Sequence, residues 1–268
     1  MDKDMRRIIE FSCEGVTLIG TLDEGNAANG LLIVSGGNEI RIGAHRGMAV
    51  LAQDLAATGY PIFRFDRRGI GDSEGVNGGF EKSGPDICAA LVAFRMACPE
   101  IKRIVAFGNC DAATALILHT INVDHLVLAN PWVIEPVDDL PPAAAIKDRY
   151  SRRLRDPSAW FALITGKLNL RNALRGLSRI SASSVQAESL INRMAKAFAA
   201  SNKPTTIVLA SGDNTAIAFA DAWKNPKYEK VRKRSDVTVI HLDSSSHSFA
   251  SENDYAALVD TITAALIH

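Results

Sequence analysis

The sequence predicts an α/β fold, a mostly parallel central sheet with helices on both faces. Three observations support it. Short apolar runs alternate with helical patterns along residues 31–129 and again from residue 205 onward, the rhythm of repeated strand–helix units. Leu31-Leu32-Ile33-Val34 is apolar without interruption, as strands covered on both faces are. The strand-like runs end in turns of glycine and polar residues, Ser35-Gly36-Gly37, Gly108-Asn109-Cys110 and Gly212-Asp213. In such sheets the ligand site gathers at the carboxyl ends of the strands.

Taken in order, residues 8–12 and 16–22 read as a hairpin around Glu14-Gly15, with residues of strand type on each side of a turn. Residues 31–34 form a buried strand. A helix runs through residues 48–55 and stops near Gly59, and residues 61–65 make the next strand. A helix over 87–96 precedes a strand over 103–107, a helix over 113–118 follows, and residues 126–129 are the strand after it. Between residues 131 and 201 the strand signals stop. Three helical stretches take their place, over 143–154, 163–180 and 185–200. They are expected to form a helical cap, spanning 131–201, inserted into one core domain of residues 1–130 and 202–268. The core resumes with strands over 205–210 and 237–242 and closes with a helix over 255–267.

Composition narrows the function. A chain of 268 residues, 47% of them hydrophobic, can bury a sizeable core. Thirty Lys and Arg balance 30 Asp and Glu for a net charge of +0, and no long basic run occurs. That balance argues against a nucleic-acid or anionic-membrane partner. Met1-Asp2-Lys3-Asp4-Met5-Arg6-Arg7 lacks the apolar centre of a signal peptide. No later stretch is apolar for long enough to span a bilayer, so a cytoplasmic location is expected. The 4 cysteines do not suggest a disulfide framework. Cys13, Cys88 and Cys98 read as small buried packing residues. Neither paired C-x-x-C spacing nor H-E-x-x-H occurs, so no metal and no cofactor is expected.

The fourth cysteine stands apart. Gly108-Asn109-Cys110-Asp111-Ala112 lies between a strand-like run and a helical one. Strand, sharp turn, reactive side chain and helix together make the nucleophile elbow of α/β-hydrolases, with cysteine here in place of serine. Small residues must flank the nucleophile because the turn brings neighbouring backbone close. A thiol nucleophile needs a base, and the base needs an orienting partner. The chain order in this fold is nucleophile, acid, histidine, which Cys110, Asp213 and His247 satisfy on loops at one edge of the predicted sheet. Asp213 also reads as a cap for a helix starting near Thr215. Asp243 is a rival orienter nearer to His247 in sequence, and Asn130 offers a Cys-His-Asn arrangement. His119, His125, His241 and His268 read as ordinary surface or packing residues.

The oxyanion hole is expected to combine the backbone N–H of Asp111 with one from the loop Ser35-Gly36-Gly37-Asn38. Gly37 is the first choice there and Asn38 the second. Beyond that loop, Arg41, His45 and Arg46 read either as contacts for an acidic or polar substrate group or as exposed surface. Asp66-Arg67-Arg68-Gly69-Ile70-Gly71-Asp72-Ser73 is glycine-rich but lacks the lysine of a phosphate-binding loop, and reads as a structural turn bordering the site.

Several motifs resemble the exosortase A system-associated hydrolases of type 1. They are Ser35-Gly36-Gly37-Asn38, Gly43-Ala44-His45-Arg46, the stretch from Phe65 to Gly75, and Gly108-Asn109-Cys110-Asp111-Ala112-Ala113. Asn130-Pro131-Trp132-Val133, Gly212-Asp213 and His247-Ser248-Phe249 extend the match over nearly the whole chain. The resemblance implies an α/β-hydrolase fold and a Cys-His-Asp hydrolase tied to bacterial exopolysaccharide and protein-sorting loci. The cysteine nucleophile is also similar to that of dienelactone hydrolases, which adds lactones to the substrate classes. Ser35 departs from the histidine that many hydrolases carry before the oxyanion glycine.

The expected chemistry is hydrolysis of a small-molecule ester or thioester through an acyl-cysteine. A free thiol ionises at roughly pH 8.5, and pairing with histidine lowers that value. Two alternatives use the same fold: an acyltransferase passing the acyl group to a sugar or lipid, and a member that binds a ligand or partner without catalysis.

Overall fold

A computed structural model describes residues 6–119, 121–133 and 190–268 of the chain. The expected cap helices over 143–154 and 163–180, and the start of the third, lie outside the described residues. The end of that third stretch is helical over residues 190–200.

Eight strands form one sheet in the order β1-β2-β4-β3-β5-β6-β7-β8. β1 (Arg6–Cys13) and β2 (Val16–Asp23) are the predicted hairpin. Its two turn residues, Glu14 at φ 49° and Gly15 at φ 85°, are both left-handed, the twist that suits a two-residue hairpin loop. β2 runs antiparallel to β4 (Ile62–Phe65). From there the sheet is parallel through β3 (Asn29–Val34), β5 (Arg103–Asn109), β6 (His125–Ala129), β7 (Thr205–Ala210) and β8 (Val237–Leu242).

The chain passes from β3 outward to β4, then crosses back to β5 on the other side of β3. The loops leaving β3 and β5 therefore diverge from adjacent strands and open a crevice, the position where open α/β sheets bind ligands. Gly36-Gly37 and Cys110 both sit there.

Alternate residues of each strand feed two apolar layers. Leu32, Val34, Ala106, Leu128 and Leu209 pack with α2 (Gly84–Ala97), α3 (Asp111–Leu118), α4 (190–200) and α5 (Asn214–Trp223). Leu31, Ile33, Val105, Phe107 and Val208 pack with α1 (Gly47–Ala57) and α6 (Glu252–Ile267). Fully burying each such side chain stabilises the fold by about 1.5–3 kcal/mol, so the strands between β4 and β7 form its stable centre. The helix ends follow local chemistry. Gly59 at φ 101° ends α1, Pro85 opens α2 where its missing N–H does no harm, and Ser251 caps α6 by accepting from the Asp254 N–H.

The cysteines divide differently from the expectation. Cys13 is buried beside Asp86, Cys98 is half-buried, and Cys88 is exposed on the outer face of α2. The mostly apolar surroundings of Cys88 in sequence concealed that it faces away from the sheet.

Candidate active site

Cys110 has φ 61° and ψ −125°, a conformation that L side chains rarely adopt and that costs of order 1–3 kcal/mol. Three backbone bonds hold it there. Its N–H donates to the Ala129 carbonyl at 2.9 Å, and its own carbonyl accepts from Thr114 at 3.3 Å and Trp132 at 3.2 Å. The flanking small residues are a steric requirement. A Cβ on Gly108 would lie 2.8 Å from the Ala112 carbonyl carbon, and one on Gly36 would lie 2.5 Å from the Asn109 carbonyl oxygen.

Asp213 leaves β7 and caps α5. Its Oδ2 accepts from the N–H groups of Thr215 and Ala216, each at 3.0 Å. Its Oδ1 faces Nδ1 of His247 at 3.1 Å. The capping role and the orienting role read from the sequence thus fall on the two oxygens of one carboxylate. Burial opposes its charged form, but the bonds from His247, Ala216 and Thr215 prevail and lower its pKa. Asp243, the rival orienter, is exposed on the loop after β8.

His247 lies on that same loop with its side chain 42% exposed. Its hydrogen bond to Asp213 and then that to Cys110 push its pKa up to about 10, against the opposing effect of burial. With Nδ1 turned to Asp213, Nε2 is the nitrogen left for the thiol. Cys110, His247 and Asp213 are therefore brought together from the ends of three different segments.

Asn130 does not stand beside the imidazole. It is fully buried, and its amide spans backbone groups, accepting from the Ala210 N–H at 2.9 Å and donating to the His247 carbonyl at 3.3 Å. That geometry does not serve as a Cys-His-Asn triad.

The loop after β3 engages both of its expected donor residues within the protein. The Gly37 N–H is engaged, donating to Asp111 Oδ1 at 2.6 Å. Asn38 is exposed and its Oδ1 accepts from Asn77 Nδ2 at 2.8 Å, so its side chain braces a neighbouring loop. The Asp111 backbone N–H remains placed at the first turn of α3, directly after Cys110.

Arg41 is not free for a substrate. Its guanidinium bonds Asp66, meets Asp72 at 2.8 Å and donates to Thr21 at 2.9 Å. His45 and Arg46 are exposed and left-handed, at φ 52° and 63°. His45 lines a cavity of about 200 Å³ together with Met48, Leu51, Phe249 and Leu258, next to the loop that carries His247. The glycine-rich segment after β4 is the expected turn: Asp66, wholly buried, accepts from Arg41 and from the Asp72 N–H.

Two residues of the site escaped sequence reasoning. Arg67 is 3% exposed, donates from Nη2 to the Gly37 carbonyl and lies 3.8 Å from Asp111. Its Nε and Nη1, like the Ser35 hydroxyl, are buried with no partner among the described residues. The signal for Arg67 was its place just beyond the carboxyl end of β4. Asn109 donates to the His247 carbonyl at 3.0 Å, and its signal was adjacency to the nucleophile. Among the described residues, no three His, Cys, Asp or Glu side chains are grouped to hold a metal ion, and no helix is long and apolar enough to cross a membrane.

The fold is shared with solved structures of low sequence identity. An esterase from Pyrococcus furiosus is 17% identical with a TM-score of 0.69, covering 97% of this chain and 90% of that one. An alpha/beta hydrolase from Penicillium is 15% identical with a TM-score of 0.63, covering 98% and 99%. An alpha/beta hydrolase from Sphaerobacter thermophilus is 16% identical with a TM-score of 0.56, covering 96% and 100%. No curated protein matches the sequence. The sequence profile of the alpha/beta hydrolase family matches residues 31–261, across both sides of the crevice and all three of Cys110, Asp213 and His247, and the chain belongs to that family.

Proposed function

We propose that this protein hydrolyses an ester or thioester through a covalent acyl-cysteine at Cys110. The observation that supports this most is His247, held between Asp213 and Cys110 with its pKa up to about 10. An imidazole so placed is a stronger base than a free one, suited to take the Cys110 proton through Nε2.

Cys110 gives that proton to His247 as its sulfur attacks the acyl carbon, and the carbonyl oxygen takes up negative charge beside the Asp111 backbone N–H. His247 then gives its proton to the departing alkoxide or thiolate as the carbon–heteroatom bond breaks. Now neutral, it removes a proton from water, which attacks the thioester. The acid product leaves as the adduct collapses, and the departing sulfur takes its proton back from His247. Asp213 holds Nδ1 throughout, so that Nε2 is the nitrogen exchanging the proton. A thiolate leaves an acyl group readily, which suits activated esters, lactones and thioesters better than amides. The motif resemblance to exosortase A-associated hydrolases links the activity to bacterial exopolysaccharide and protein-sorting systems and names no substrate.

The test is intact-mass spectrometry after brief mixing with a panel of acyl thioesters and activated esters. A transient adduct of acyl mass is expected on the natural sequence and absent in Cys110→Ala. No adduct with any member of the panel, or an equal one on the variant, would sink the proposal.

A further inference from the structure

We infer that Asn109 and Asn130 act as positioning residues for the base, fixing the His247 backbone to the frame of the nucleophile. This rests on the acyl-cysteine reading.

His247 lies on an irregular loop between β8 and α6. The loop's own bonds, from Ser246 N–H to Ser244 Oγ at 3.0 Å, from Phe249 N–H to the Ser246 carbonyl at 3.4 Å and from Ala250 N–H to Ser246 Oγ at 2.9 Å, set His247 in a turn but do not engage its own N–H or carbonyl. Among the described residues, the hydrogen bonds to its main chain come from Nδ2 of Asn109 at 3.0 Å and Nδ2 of Asn130 at 3.3 Å, both to its carbonyl oxygen. Asn109 directly precedes Cys110. Asn130 follows Ala129, whose carbonyl holds the Cys110 N–H. Asn130 also accepts from Ala210 N–H at 2.9 Å, at the end of the strand that leads to Asp213. Its left-handed backbone, φ 42°, suits asparagine better than most residues, and it sets the amide between the loops. The segments bearing nucleophile, acid and base thus meet at one pair of amides.

Both amides are spent on groups of the protein itself. Their effect is on distance, and a base displaced by about 1 Å can cost on the order of 100-fold in rate.

The test uses alkylation of Cys110 by iodoacetamide at pH 6, followed by peptide mass in the full-length protein. Exposed Cys88 serves as the comparison thiol in the same sample. In the natural sequence Cys110 is expected to react about tenfold faster than Cys88, because an imidazole hydrogen-bonded to a thiol activates it as a nucleophile. Asn109→Ala, and Asn130→Asp, which keeps the shape but cannot donate when ionised, are expected to lose most of that excess. Asn109 is half-buried, so Asn109→Ala carries the test if Asn130→Asp fails to fold. Thermal unfolding of Asn109→Ala is expected to remain cooperative, which separates positioning from collapse. An Asn109→Ala protein retaining the full excess would overturn the inference. No excess in the natural sequence would instead remove the acyl-cysteine reading on which it rests.

Discussion

The Asp111 carboxylate accepts a hydrogen bond from the backbone N–H of Gly37 at 2.6 Å. On the acyl-cysteine proposal, the residue after Cys110 therefore occupies the donor that the loop would offer to a developing oxyanion, and it brings negative charge to the same place. Arg67, bonded to the Gly37 carbonyl, faces the same carboxylate at 3.8 Å.

Removing the carboxylate should then speed the reaction. Asp111→Ala keeps the backbone N–H of residue 111 and frees that of Gly37. One oxyanion donor is worth roughly 100-fold or more in other acyl-transfer enzymes. A partial gain of about tenfold in kcat is expected, measured with a nitrophenyl ester under saturating conditions. A fall in kcat would mean that Asp111 holds the loop in its working position.

The divided role of Asp213 separates stability from activity. Asn at a helix N-cap serves about as well as Asp, so Asp213→Asn should unfold within a few degrees of the natural sequence. The same substitution loses the ionic partner of His247, and kcat should drop on the order of 10³–10⁴-fold, as in triads generally. Asp213→Ala loses the cap as well, at a further cost of about 1 kcal/mol. Equal melting temperatures for the two variants would show that the cap contributes nothing.

Stability against pH follows from the same pair. The folded pKa of His247, about 10, lies above its ordinary 6.5. Its contribution is therefore complete below that ordinary value and is lost as pH rises through about 10. The pKa of Asp213 is lowered from 3.8, so its contribution is present above that value and lost as pH falls through the lowered one. Melting temperature should show a plateau between about pH 3.8 and 6.5 and decline as pH rises from there toward about 10. The alkaline decline should shrink in His247→Ala. A decline of equal size in that variant would assign it to other groups.

How much of this was legible in the sequence depends on whether the signal was local. Leu31-Leu32-Ile33-Val34 and the strand before Cys110 were readable because burial on both faces leaves no polar residue to interrupt the run. The elbow was readable because Gly108, Cys110 and Ala112 must be close in sequence to make one turn. The hydrogen bond of Asn109 to His247 joins residues 138 positions apart, and no periodicity encodes it. Arg41 looked available for the same reason: its partners Thr21, Asp66 and Asp72 come together only when β2 and β4 pair. Gly37 looked like a free donor because Asp111 was read for its backbone alone.

The steric claim about the elbow can be tested without any substrate. A methyl group on Gly108 would stand 2.8 Å from the Ala112 carbonyl carbon and 2.9 Å from the Ala113 nitrogen. Both are backbone atoms of α3, so neither can rotate away as a side-chain tip would. Relief requires α3 to move off β5, which strains the Thr114 and Trp132 bonds to the Cys110 carbonyl. Overpacking of this kind costs about 1–3 kcal/mol. Gly108→Ala should therefore lower the melting temperature by several degrees and slow Cys110 alkylation at pH 6, since the thiol shifts relative to His247. Gly37→Ala makes the informative contrast. Its added Cβ would meet nothing within 4 Å, but its φ is 57°, so the cost there is backbone strain of about 1 kcal/mol with no displacement of α3. If alkylation slows equally in both variants, close approach of α3 to β5 is not what places the thiol.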